Sequence, residues 1–170
     1  MSGRRTTLTA AVGAGLNGGV FFAFSAFVMP ALDRLPDAAA TEAMRSINVT
    51  AVTAPFMTAL FGTAALTLVT AWQGFRARGT RAGRLLLGGS GAYLVGVIGT
   101  TMVANVPMND RLAAGTLDWA DYSGPWTACN TVRAATGIAA AALLCAAAVA
   151  DRVPREACAP ATAPRPAVAG

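Results

Sequence analysis

Long uncharged runs, broken by short clusters of arginine and aspartate, set the rhythm of this chain. Residues 6–32, 46–75, 85–109 and 134–150 carry no charged side chain. A helix needs about 20 mostly apolar residues to cross a hydrocarbon layer roughly 30 Å thick. The first three runs exceed that length. The fourth reaches it when its helix begins near Trp126, which places Arg133 about two turns inside. The pattern predicts an all-α fold, a four-helix transmembrane bundle running up-down-up-down, in one domain over residues 1–152. Its spans cover approximately 7–32, 47–72, 85–107 and 126–150. Residues 153–170, with Pro154, Pro160, Pro164 and Pro166 among Ala and Thr, cannot bury a core and are expected to form a disordered tail.

Small residues recur within the runs at helical spacing. Gly15 and Gly19 lie four apart in the first, with Gly18 beside them, and Gly88, Ala92 and Gly96 repeat the device in the third. Such positions let helix backbones approach closely in lipid, here inside one bundle rather than at a homodimer seam. Phe21, Phe22, Phe24 and Phe27 read as lipid-facing or core filler. Pro36 opens a helix-prone link, Pro55 is expected to kink the second span about two turns in, and Pro107 to end the third. Ser123-Gly124-Pro125 reads as the start of the fourth helix, with Ser as cap and Pro in the first turn. Arg4 and Arg5 mimic the head of a signal peptide. The apolar run after them is longer than the roughly 7–15 residues of a signal core, so it reads as a retained span.

Composition agrees. Charged residues make up 12% of the chain and mean hydropathy is +0.52, against roughly 25% charged residues in a soluble domain. The net charge of +5 therefore speaks of topology and not of nucleic-acid binding. Every basic residue is an arginine. Arg76, Arg78, Arg81 and Arg84 crowd the second link without an acid among them; Arg4 and Arg5 precede the first span, and Arg152, Arg155 and Arg165 follow the last. The other two links hold Asp33, Asp37, Glu42, Asp110, Asp118 and Asp121. The positive-inside rule then places both termini and the 76–84 link in the cytoplasm of a multi-pass cell-membrane protein. Cys129, Cys145 and Cys158 show no Cys-x-x-Cys spacing, so no disulfide framework or thiol redox site follows.

The chain has no histidine, and no predicted span holds Asp or Glu in its middle. Histidine-ligated haem, Glu-x-x-His di-iron sites, Cys/His zinc sites and the membrane carboxylate of a proton-coupled exporter are excluded, and no cofactor or metal is expected. The polar residues that remain gather at one end. On the predicted topology Asn48, Asn105, Asn109, Asn130 and Arg133 fall near the outer face, while Asn17 lies in the inner half of the first span. Trp126, Asn130, Arg133 and Gly137 follow at spacings of four, three and four, on one helical face. Gly137 leaves room below Arg133 for a neighbouring helix or a planar ligand. Each residue also has a plain structural use. Trp and Tyr belt membrane interfaces, an arginine near a helix end snorkels to headgroups, and asparagines bond helix to helix at about 0.6 kcal/mol each. As a group they favour a site. An arginine this close to lipid takes a carboxylate or a ligand as partner, and Asp110, Asp118 and Asp121 are the candidate carboxylates.

Five segments stand out: FFAFSAFVMPAL (21–32), MRSINVT (44–50), Pro55-Phe56, ANVPMNDRL (104–112) and W-x2-Y-x3-W-T-x2-N-x2-R (119–133). Through them the chain resembles the anthrone-oxygenase-like family of integral membrane proteins, over residues 8–150. The resemblance implies a cofactor-free oxygenase that converts an anthrone-like polycyclic phenol to a quinone with O2 beside the lipid bilayer. Arg133, Asn130 and Asn105 would then stabilise the substrate oxyanion. Trp126, Trp119 and Tyr122 would stack on flat rings, with Asn109 and Asn48 completing the binding site. Asp110 or Asp121 would serve as base. Relatives carry an aromatic residue before the Asn130 position and a histidine after it, where this chain has Cys129 and Thr131. The alternative is a non-catalytic membrane protein that binds a small lipophile or serves as an accessory or scaffold subunit. The two readings expect different structures. Ligand chemistry needs a cavity lined by these side chains; a scaffold needs a closed cluster, with the asparagines paired and Arg133 tied to an outer-loop aspartate.

Overall fold

The computed structural model describes residues 2–150, and the expected tail over 153–170 lies outside the described residues. Five helices follow one another: α1 (Gly3–Leu32), α2 (Asp37–Ala51), α3 (Ala54–Arg76), α4 (Arg81–Ala113) and α5 (Trp119–Ala150). All but α2 are long and apolar enough to cross a membrane. Large apolar side chains such as Val12, Phe22, Leu68, Val95 and Val103 stand on the outside of the bundle. Apolar surface on this scale marks contact with lipid or partner protein rather than with water.

The four long helices form a ring, each packed on the next, and α5 closes on α1. Neighbours run antiparallel. Gly13 meets Thr63 and Phe21 meets Phe56 between α1 and α3. Thr70 meets Ser90 and Leu60 meets Tyr93 between α3 and α4, and Gly96 meets Thr136 and Asn105 meets Trp126 between α4 and α5. At the α1–α5 crossing, a Cβ on Gly18 would come within 2.9 Å of the Ile138 amide nitrogen, and one on Gly137 within 3.0 Å of the Gly18 Cα. Only glycine allows backbones this close. The room below Arg133 is therefore taken by α1. Gly19, by contrast, faces open space.

Three boundaries differ from the sequence pattern, each for a local reason. No single helix runs through residues 47–72: α2 ends at Ala51 and α3 begins at Ala54. Thr53 is extended (φ −76°, ψ 159°), and Pro55 stands in the first turn of α3, where its missing N–H breaks no helical bond. The proline separates two helices instead of kinking one, and Asn48 belongs to α2. Nor does Pro107 end α4, which continues to Ala113. A wider π turn over Thr101–Asn105 precedes it, as another over Phe24–Val28 precedes Pro30 in α1. The added width relieves the clash of a proline ring with the carbonyl four residues back. Finally, α5 starts at Trp119, with Pro125 inside the helix. Interior Gly and Pro cost about 1 and about 3 kcal/mol. Burial of Trp119, Tyr122 and Trp126 on one face offsets this, since each large side chain contributes about 1.5–3 kcal/mol.

α2 packs on the last turns of α4 and the first of α5. Arg45 fastens it, donating from Nε and Nη2 to the Leu112 carbonyl at 3.0 and 2.6 Å. Beyond it α4 is terminated by Gly115 at φ 70°, with Gly115 N–H bonded to Leu112 O and Thr116 N–H to Arg111 O. The opposite end is closed by Ala10, Ala11, Leu86, Leu144 and Ala147.

Candidate functional site

One face of α5 is buried along its length: Trp119, Tyr122, Trp126, Asn130, Arg133 and Gly137. Against this face, at the α2 end of the bundle, lies a cavity of about 530 Å³. Ligand pockets commonly measure about 300–1,000 Å³. All five helices line it. Phe21 and Phe24 come from α1, Ile47 and Asn48 from α2, and Phe56 and Met57 from α3; Thr101, Asn105 and Asn109 come from α4, and Trp126, Asn130 and Arg133 from α5. Along the α2–α3 break the lining residues Thr50, Val52 and Thr53 are exposed, which puts the mouth there.

Among the described residues Arg133 is the only charged one on the wall, and it is 6% exposed. As a helical side chain it points back toward the N-terminus of α5. Its Nη2 donates to Asn130 Oδ1 at 2.9 Å and its Nη1 makes a long 3.4 Å contact with Thr101 Oγ1. The guanidinium lies 4.3 Å from the Phe21 ring centroid and 5.3 Å from that of Trp126. Nε has no partner. Among the described residues no carboxylate pairs with it; Asp110, Asp118 and Asp121 are all exposed. An ion buried without a counterion costs several kcal/mol. Two aromatic faces and two neutral hydrogen bonds recover part of that. What remains is a fixed positive charge beside a largely apolar void.

The asparagines are mostly committed to holding this arrangement. Asn130 is fully buried and donates from Nδ2 to the Phe21 carbonyl and to Ser25 Oγ, both at 2.7 Å. Its Oδ1 receives Arg133. Asn105 is 1% exposed and donates from Nδ2 to the Trp126 carbonyl at 3.2 Å, leaving Oδ1 without a partner. Asn109 Oδ1 accepts from the Tyr122 hydroxyl and the Trp126 indole N–H, both at 2.8 Å. Asn48 lines the cavity from α2. Both Nδ2 hydrogens of Asn130 and one of Asn105 are thus occupied, and Arg133 is left as the cation that can meet an oxyanion. The asparagines are largely paired, as a scaffold requires, but the cluster is not closed, since a cavity adjoins it and Asn105 Oδ1 is unpaired among the described residues.

Trp119 and Tyr122 are buried but do not line the cavity. They extend a stack behind Trp126, with ring centroids 5.7 and 6.1 Å apart along Trp119–Tyr122–Trp126. The Trp119 indole donates to Asp33 Oδ1 at 3.0 Å. Asp110 and Asp121 stand away from the cavity on the surface. Thr131 is exposed and donates to Ser25 Oγ. Phe21 and Phe24, read from the sequence as lipid-facing or core filler, line the cavity beside Phe56 and Thr101. A signal for Phe21 does exist: pairing Gly18 with Gly137 across antiparallel helices sets it level with Arg133.

The anthrone oxygenase family matches residues 44–143, well over half of the chain. That stretch contains every cavity-lining residue except those of α1. No curated protein and no solved structure matches the chain.

Proposed function

The chain belongs to the anthrone oxygenase family, and from that premise we propose that it is a cofactor-free membrane oxygenase acting on anthrone-like polycyclic phenols in the cavity beside Arg133. One observation carries the reading: a buried guanidinium without a carboxylate borders a void large enough for a ligand. The α2 end faces outward and the arginine-rich 76–84 link faces the cytoplasm, together with both chain ends.

The chemistry asks little of the protein. The methylene opposite an anthrone carbonyl is acidic, because its anion spreads charge through the rings onto the oxygen. A unit charge about 4 Å from that oxygen, at an effective dielectric of about 20, favours the anion by about 4 kcal/mol. This corresponds to roughly three decades of ionisation. Among the described residues no carboxylate lines the cavity, so the proton leaves to water at the mouth. The anion gives one electron to O2, the two radicals join in a C–O bond, and protonation gives a hydroperoxide. Loss of water then forms the second carbonyl. In sum, anthrone and O2 give anthraquinone and water. Phe21, Phe56 and Trp126 supply aromatic wall against the flat rings.

Membranes containing the protein, incubated with an anthrone in air, should form quinone faster than membranes containing Arg133→Ala. Equal rates would remove the proposal. A second reading draws support from the lack of any lining carboxylate or thiol: the cavity carries a lipophile without changing it. Saturable anthrone binding without quinone formation would establish that reading instead.

A further inference from the structure

We infer that Asn105 sets the specificity of this cavity by accepting a hydrogen bond from a phenolic hydroxyl of the ligand, about one helical turn from the oxygen held by Arg133. The inference rests on the proposed ligand site and adds a second recognition point to it. Asn105 is 1% exposed and lines the cavity. Its amide cannot simply rotate to suit any partner, because Nδ2 is engaged by the Trp126 carbonyl. Among the described residues nothing donates to its acceptor, Oδ1. A buried acceptor left unsatisfied costs about 1–3 kcal/mol, and a ligand that supplies the donor recovers it. The neighbouring orphan has the opposite sense, since Arg133 Nε is a donor in want of an acceptor. Two complementary orphans on residues of one cavity wall describe a ligand with an acceptor oxygen and a separate hydroxyl.

Their spacing narrows the ligand further. Arg133 reaches Thr101, and Asn105 lies four residues beyond Thr101 on α4. On α5 the guanidinium is level with Asn130, and Asn105 is bonded to Trp126, again four residues away. Four residues rise about 6 Å along a helix. A hydroxyl beside the carbonyl of a fused-ring ketone is tied to that carbonyl and falls short of this span. A hydroxyl on the far edge of the outer ring is free and reaches it.

Stable quinones test this without turnover, by quenching of tryptophan fluorescence in the purified protein. The probes are anthraquinone, its 1-hydroxy, 2-hydroxy and 2-methoxy derivatives, in mildly acidic buffer that keeps the hydroxyls protonated. The 2-hydroxy compound should bind about tenfold more tightly than the other three. Asn105→Ala should erase that preference, bringing the 2-hydroxy compound to the affinity of the other three. The comparison among probes on the wild-type protein needs no variant, so it stands even where Asn105→Ala does not fold. Binding of all four with equal affinity would overturn the role of Asn105 while leaving the Arg133 site intact. An equal loss for every probe in Asn105→Ala would also overturn it, assigning Asn105 to helix packing or to a bound water. Failure of every probe to bind would overturn the ligand site and this inference with it.

Discussion

Two buried polar clusters lie in this bundle, and they do opposite things. Around Asn17, Nδ2 reaches the Gly13 carbonyl, the Ala59 carbonyl and the Tyr93 hydroxyl at 2.8, 3.2 and 3.0 Å, and Tyr93 donates onward to the Leu60 carbonyl. The cluster is neutral and joins α1, α3 and α4, and neither Asn17 nor Tyr93 lines the cavity. Around Arg133 the partners are as deeply buried, but the centre is a charge without a counterion, and empty volume adjoins it. Burial and polarity do not separate the two. Uncompensated charge next to space does. The Asn17 cluster holds helices together; the Arg133 cluster holds a charge in place for something else.

The comparison can be broken by exchanging the outcomes. Arg133→Met should lower quinone formation by about 100-fold or more, the scale of losing one partner of a buried charged pair. The same variant should melt no lower than wild type, because an unpaired buried ion is removed. A lowered melting temperature with intact turnover would make Arg133 a packing residue. Gly137→Leu forces a side chain into the α1 backbone and should destabilise the bundle by about 1–3 kcal/mol, read in thermal unfolding. Arg133→Lys keeps the charge but loses the flat face over Phe21; turnover should fall about tenfold in steady-state rates. Asn17→Ala should reverse the Arg133→Met result, costing about 1–2 kcal/mol of stability with turnover per folded molecule unchanged. The smallest effect belongs to Asp110→Asn and Asp121→Asn, which should change initial rates by less than about twofold, as exposed groups do. A large loss in either would return a base to the surface carboxylates.

Four long apolar helices were legible because uncharged length alone decides whether a segment can cross a bilayer. The buried face of α5 was legible from its spacing; its register against α1 was not, because the spacing marked Gly15 and Gly19 while Gly18 makes the close contact with Gly137. Helix ends were harder, because Pro55, Pro107 and Pro125 each have a local preference that packing redirects. At Pro125 the burial of Trp119 and Tyr122 outweighs the preference; at Pro107 a π turn accommodates it. The roles of the asparagines were not legible. Whether an amide offers its donor or its acceptor is decided by the partner it meets across the bundle. For Asn105 and Asn130 those partners are backbone carbonyls that no spacing reveals. Phe21 and Phe24 were hidden for a similar reason, since a run of phenylalanines on a membrane helix looks the same whether it faces lipid or a cavity.

The account turns on a ligand oxygen meeting Arg133. A structure of the purified protein bound to a hydroxyanthraquinone tests this most directly. The rings should lie in the cavity against Phe21 and Trp126, with an oxygen about 3 Å from a guanidinium nitrogen of Arg133. A ligand bound elsewhere, or Arg133 paired with Asp110, Asp118 or Asp121 while the cavity stays closed, would contradict it.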